Sequence, residues 1–296
     1  MKHRTIQRVT ILTLAMAGAV FGQVRPKTAR TFASPEEASQ ALIDAAMKND
    51  SAALAAVLGS EAKGMLTTGD GARDEAERKA FGQLASAHHK LEPSALRAGV
   101  MILLIGDNMW PFPVPLVREN QQWHFEPAMG SLEVRARRVG TDEFDAIEIC
   151  AGYVEAQRKF AEEHRSGAAT MEYARAIMNG LYKPGGGPEL VTQGFAEAAV
   201  DAPGQKAKPY HGYYFRVLTE QGSNAPGGPH KYLAGKFMIG GFGLIAWPAE
   251  YGVTGVHTFI VNQDNTVYEK DMGAQTATLA PAITRYDPDN SWMPVD

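Results

Sequence analysis

The densest run of side chains able to do chemistry is NQDN, Asn262 to Asn265, set inside YGVTGVHTFIVNQDNTVYEKD (251–271). Amides and an acid together could hold a cation. A calcium loop, however, needs more oxygen ligands at regular spacing. Val256, Thr258 and Ile260 alternate with His257, Phe259 and Val261 before the cluster, and Thr266, Val267, Tyr268 and Glu269 follow it. Two β-rich runs joined by Asn and Asp spell a hairpin, because these residues tolerate positive φ and bond their own backbone. The cluster is expected to turn the chain.

Other reactive groups are scattered. His88 and His89 are neighbours; on a helix they would point about 100° apart, a poor chelate. His211, in PYHGYYF, heads a strand among aromatics and reads as a structural histidine. The single cysteine, Cys150, sits in DEFDAIEICAGYVEAQ beside Ile147 and Val154. It is expected to be a buried, inert thiol, since a nucleophile needs a base and an electropositive setting. GGFGLIA (240–246) contains G-x-G-x-x-A, but Trp247 and Pro248 follow where a dinucleotide loop must open a helix. Its glycines are read as a bulge or a close packing point. DPDN (287–290) reads as a turn. The chain shows no P-loop, HExxH pair or nucleophile elbow, so no catalytic residue, metal ligand or cofactor is assigned. Trp110, Trp123 and His124 remain as ligand-binding candidates, lining a pocket between the first sheet and its helices.

Those residues need a frame. Ser34, Pro35 and Glu37 form a capping box with Pro at the first helical position, and Ala38, Leu42, Ile43 and Ala46 follow at helical spacing. SAALAAVL is a second helix ending at Gly59. A third covers 72–89, with Ala76, Phe81, Leu84 and His88 as its inner face. RAGVMILLI, WPFPVPLVRE and WHFEP then read as three strands. Pro111, Pro113 and Pro115 alternate, so their missing N–H groups fall on one side and the strand is expected at an edge. A long helix is expected over 141–165, with Phe144, Ile147, Ala151 and Val154 recurring at helical spacing and Thr141, Asp142 and Glu143 at its start. A short helix follows at 169–178, and PGGGP (184–188) and DAPGQKAKP (201–209) are loops. Strands occupy most of the chain from Tyr210, and a helix near 274–284 precedes an extended tail.

The fold class is therefore α+β, in two units. Residues 34–138 are N-terminal helices packed on a curved antiparallel sheet. Residues 139–296 are a second α+β unit with a long helix on an antiparallel sheet. Ahead of them stand a signal peptide over 1–22 and a linker over 23–33. Lys2, Arg4 and Arg8 precede the uncharged VTILTLAMAGAVF, and cleavage is expected near Gly22. That apolar run is short of the roughly 20 residues a membrane helix needs. A periplasmic or secreted location follows, with no stable span in the mature chain. A formal charge of −4 argues for neither nucleic acid nor an anionic membrane as partner.

The phrases FASPEEA, WPFPVPLV, ICAGYVEAQRKFA, PYHGYYFRVLTEQG, MIGGFGLIAWPAEYGVTGVHTFIVNQD and VYEKD resemble the bacterial exported family catalogued as domain of unknown function 2950. The likeness covers most of the mature chain. It implies no activity and carries over no catalytic residue. Two weaker resemblances concern fold: residues 34–130 look like the cystatin- or NTF2-type arrangement, and residues 141–273 look like a type IV pilin globular head. The expected role is non-enzymatic binding or scaffolding in the cell envelope, with an envelope protein or small molecule as partner. The alternative is small-molecule binding, or weak hydrolysis, in an N-terminal pocket.

Overall fold

The computed structural model describes residues 29–167, 171–185, 189–200, 205 and 207–295. The expected signal peptide and most of the expected linker lie outside those residues.

Three helices come first. α1 (Pro35–Met47) is capped by Ser34, whose hydroxyl accepts from the Glu37 N–H at 3.1 Å. Glu37 reaches back to the Ala33 N–H at 3.0 Å, one residue before the cap. α2 (Ser51–Leu58) starts on an Asp50 cap and α3 (Gly71–Ala87) on an Asp70 cap. Strands β1 (His89–Pro93), β2 (Val100–Ile105), β3 (Trp110–Pro111), β4 (Leu116–Glu119) and β5 (Gln122–Phe125) follow. The sheet runs β1-β2-β4-β5, with β3 also on β2.

Several local expectations change. The third helix, expected to reach residue 89, stops at Ala87, and His89–Pro93, for which no strand is expected, forms β1. Phe81 faces inward as expected, with Asp74, Gly82 and Ala85, while Ala76 is exposed, Leu84 is 55% exposed and His88 lies at the solvent-facing end. The proline strand is an edge only at its start: β3, with Pro111, pairs with β2 alone, whereas β4 is not an edge. Its two pieces pair with β2 at Leu104↔Pro111 and Met101↔Leu116, so Phe112–Pro115 bulges out, and β4 is interior because β5 takes its other side. Pro113 and Pro115 thus occupy a bulge, and Pro111 an edge strand, where no ladder N–H is required. Phe32, placed in the linker by sequence, is 3% exposed and pairs in both directions with the Trp123 backbone.

α4 (Pro127–Glu162) is 36 residues long and runs unbroken through residues 138 and 139. It begins on Pro127 rather than near Thr141. Its first turns press on the bulge: a Cβ at Gly130 would stand 2.3 Å from the Pro113 carbonyl oxygen. Residues 171–178, expected as helix, form none; Tyr173 instead bridges to Met238.

The remaining elements are α5 (Gln193–Glu197), β6 (Tyr213–Leu218), β7 (Glu220–Gln221), β8 (His230–Lys231), β9 (Leu233–Ala234), β10 (Phe237–Met238), β11 (Gly243–Pro248), β12 (His257–Asn262), β13 (Tyr268–Asp271), α6 (Thr276–Leu279) and β14 (Met293–Pro294). The main sheet is antiparallel in the order β14-β13-β12-β11-β6. The period-2 alternation sends Phe215, Leu244, Ala246, Phe259 and Val261 into a core that includes Tyr153 and Val154 of α4. Ile245, Trp247 and Ile260 enter a second core with Tyr286 and Trp292 of the C-terminal segment. Every residue of β11 is therefore buried. The predicted 274–284 helix is α6 flanked by two 3-10 turns. Among the described residues no helix is long and apolar enough to cross a membrane.

Candidate functional site

The N-terminal helices, the strand bulge and α4 enclose a cavity of about 250 Å³. Helical spacing explains which residues reach it, because positions three and four apart share a face. α1 supplies Leu42 and Ala46, and α2 supplies Leu54 and Leu58. α3 supplies Asp74, Glu77, Arg78 and Phe81, and α4 supplies Val134 and Arg138. Phe112 and Val114 come from the bulge, and Met65 to Thr68 from the loop ahead of α3. Phe112 is fixed between Phe81, at 5.3 Å centroid to centroid, and Phe125, edge-on at 6.0 Å. The irregular Phe112–Pro115 backbone, which a regular strand would have flattened, is what lets these side chains form a wall.

The polar members are few and nearly all engaged. Asp74 is 7% exposed. Its Oδ1 accepts from the Thr68 N–H at 2.8 Å and hydroxyl at 2.7 Å, and its Oδ2 from the Thr67 hydroxyl at 2.7 Å. Burial pushes this carboxyl up, but the Thr68 and Thr67 hydrogen bonds and the Arg78 charge outweigh it, holding it below the usual range. Glu77 faces Arg73 at 2.8 Å. Arg78 donates to the Asn49 amide oxygen at 2.7 Å and the Leu66 carbonyl at 3.3 Å. Arg138 donates to the Gly64 and Met65 carbonyls at 3.3 and 3.2 Å.

None of Trp110, Trp123 and His124 lines this cavity. Trp110 is 58% exposed beneath the Arg137 guanidinium at 4.9 Å. Trp123 and His124 are consecutive on β5 and so point to opposite faces of the sheet. His124 is 6% exposed, its Nε2 3.6 Å from Glu126 Oε2. The structure does not bring the three together. The residues that do converge have an available sequence signal in their i, i+4 pairs, but such pairs look the same whether they fill a core or border a cavity.

A second polar group lies on α4. Arg73 donates to Asp142 at 2.7 Å and stands 3.8 Å from Asp145. His211 Nδ1 lies 2.5 Å from Asp145, which pairs it as a structural histidine. Glu143 accepts from the Val256 and His257 N–H groups at 2.8 and 2.9 Å and faces His257 Nδ1 at 3.1 Å. Gly212, at φ 76°, passes so close that a Cβ would stand 2.7 Å from Asp142 Oδ2. These contacts fasten α3 and two loops of the second sheet to α4.

The remaining sequence candidates are structural. Cys150 is fully buried, which pushes its thiol up to about 12 and keeps it protonated. In the NQDN run, Asn265 adopts φ 62° and donates to the Asn262 carbonyl at 3.0 Å, while the Asp264 N–H donates to the Asn262 side chain at 3.1 Å. The run turns the chain and also anchors it. Asn262 is fully buried, Arg158 of α4 donates to the Gln263 carbonyl at 2.8 Å, and Gln263 Oε1 accepts from Phe242 N–H at 3.3 Å. Gly241, in the rejected dinucleotide motif, packs close: a Cβ there would lie 2.8 Å from Gln263 Oε1. In DPDN, Asp287 accepts from the Asn224 backbone and amide at 2.8 and 3.0 Å. Among the described residues no group of three or more His, Cys, Asp or Glu is placed to hold a metal ion.

No curated protein and no solved structure matches this chain. A family model described as protein of unknown function, DUF2950, matches residues 29–295, and the chain belongs to that family.

Proposed function

We propose that this chain is an exported binding protein that takes a small, largely apolar molecule into the N-terminal cavity, while the second sheet serves as scaffold. The observation that carries the reading is the cavity itself. Its volume of about 250 Å³ lies just under the roughly 300–1,000 Å³ of ordinary ligand pockets, so the ligand is small. Its lining is mostly aliphatic and aromatic, with a few polar groups at one side, the usual composition of a binding site. The lining includes neither His nor Cys, and both Asp74 oxygens are committed to Thr67 and Thr68. Binding is thus favoured over bond breaking. The export element rests on the basic and apolar segments within residues 1–22, and puts the ligand in the envelope or outside it. A cystatin- or NTF2-type reading of the first half is supported by three helices beside a four-stranded sheet path, and a pilin-head reading of the second by a long helix packed on an antiparallel sheet.

The test is a thermal-shift screen of small apolar compounds on the full chain and on Val134→Phe, which pushes a ring into the cavity from α4. A ligand at a hundred times its Kd should add about 2.7 kcal/mol of stability to the native chain and little to the variant. Shifts of equal size in both proteins would contradict the reading.

A further inference from the structure

We infer that the cavity takes an amphipathic anion, an apolar body carrying one carboxylate, with Arg78 and Arg138 as its head-group donors. The inference deepens the binding reading above and rests on it. Two arginines line the cavity from different walls, Arg78 from α3 and Arg138 from α4. Their hydrogen-bond partners are all neutral oxygens, the Asn49 amide and the Leu66, Gly64 and Met65 carbonyls, while Asp74 and Asp142 feel their charges only from a distance. Among the described residues neither forms an ion pair within 4.0 Å. The two acids of the lining cannot serve a ligand as freely. Asp74 has both oxygens occupied by Thr67 and Thr68, and Glu77 is turned to Arg73. What the polar side of the cavity offers a ligand is therefore positive charge and N–H donors. A guanidinium left with neutral acceptors gains most from a carboxylate, which adds the attraction of an opposite charge and a second parallel N–H···O bond that a single carbonyl cannot supply. The fork of N–H donors suits a planar carboxylate in particular.

The rest of the lining sets the body of the ligand. Leu54, Leu58, Met65, Phe81, Phe112 and Val114 offer only carbon and sulfur surface. A second charge on the ligand would have to be buried against them, and burying an unpaired charge is costly. One head group and one compact apolar body is the composition that satisfies both sides.

Matched probes decide it: hexanoate, 1-hexanol and hexylammonium, titrated calorimetrically into the full chain at one ionic strength. Hexanoate should bind about tenfold tighter than 1-hexanol, and hexylammonium weakest. Arg78→Gln and Arg138→Gln should each bring the hexanoate-to-hexanol ratio toward one. If a variant does not fold by circular dichroism, the ranking on the native chain decides. Saturable binding of hexanol equal to hexanoate would overturn the anionic head group and leave the cavity reading standing. Saturable binding by none of the three, with none in the compound screen, would overturn both.

Discussion

Arg73 in the first turn of α3 donates to Asp142 of α4 at 2.7 Å, across 69 residues of sequence. Asp142 is 1% exposed. Burial pushes its carboxyl above the usual range, more than the Arg73 charge and hydrogen bond pull it down. A buried pair of this kind is expensive to break from one side, because the remaining charge stays desolvated.

Arg73→Ala should therefore cost about 3–5 kcal/mol in urea unfolding, and Asp142→Asn distinctly less, since it removes the buried charge along with the bond. Equal losses would show that the hydrogen bond, not the desolvated charge, carries the energy.

Asp74 supplies the opposite sign. Its carboxyl is held below the ordinary value in the fold, so its ionised form is stabilised. That stability is fully present above the unfolded value, near 4, and is lost as pH falls through the lower folded value. Asp142, raised in the fold, works the other way and gains on acidification. Urea midpoints at pH 7 and pH 3 should fall less in Asp74→Asn than in the native chain. An unchanged pH dependence would mean that the Thr67 and Thr68 bonds do not discriminate the charged form.

Phe259 is fully buried against Tyr213 at 5.8 Å, in the core between α4 and the second sheet. Phe259→Ala should cost about 3–5 kcal/mol, a large part of a stability of about 5–15 kcal/mol. Asp264→Ala, at the exposed tip of the same hairpin, should cost less than about 0.5 kcal/mol. Asn262→Ala belongs with the former, since it removes a buried amide and leaves the groups bonded to it, the Asp264 N–H among them, without that partner, at about 1–3 kcal/mol. Shortening the whole 262–265 run should not be tolerated, because Gln263 also ties β12 to Phe242 and Arg158. Thermal denaturation of the set checks the order.

How far the sequence discloses this follows from which interactions are local. The Ser34–Glu37 cap and the Asn265 turn are decided by residues within four positions, and both are legible. The first half of α4 is not. SLEVRARRVG (131–140) has no clean apolar stripe, and its helix is fixed by distant partners, such as Arg138 on Gly64 and Gly130 on Pro113. β1 is hidden because His89 follows α3 at once, leaving no turn residue to mark the change. The proline bulge reads as a strand because its alternation is real, while its two extra residues show only against β2. The cavity is the least legible feature. Its walls come from six stretches between Leu42 and Arg138, and a gap between walls has no sequence of its own.

The most direct measurement of the binding account is methyl NMR on the full chain during a titration with 1-hexanol, which needs no charged head group. Saturable shifts should appear at Leu42, Leu54, Leu58 and Val134, which line the cavity, and not at Val217, Leu244 or Val261, which pack in the core between α4 and the second sheet. Shifts that grow linearly without saturation, or that fall on that core instead, would contradict it.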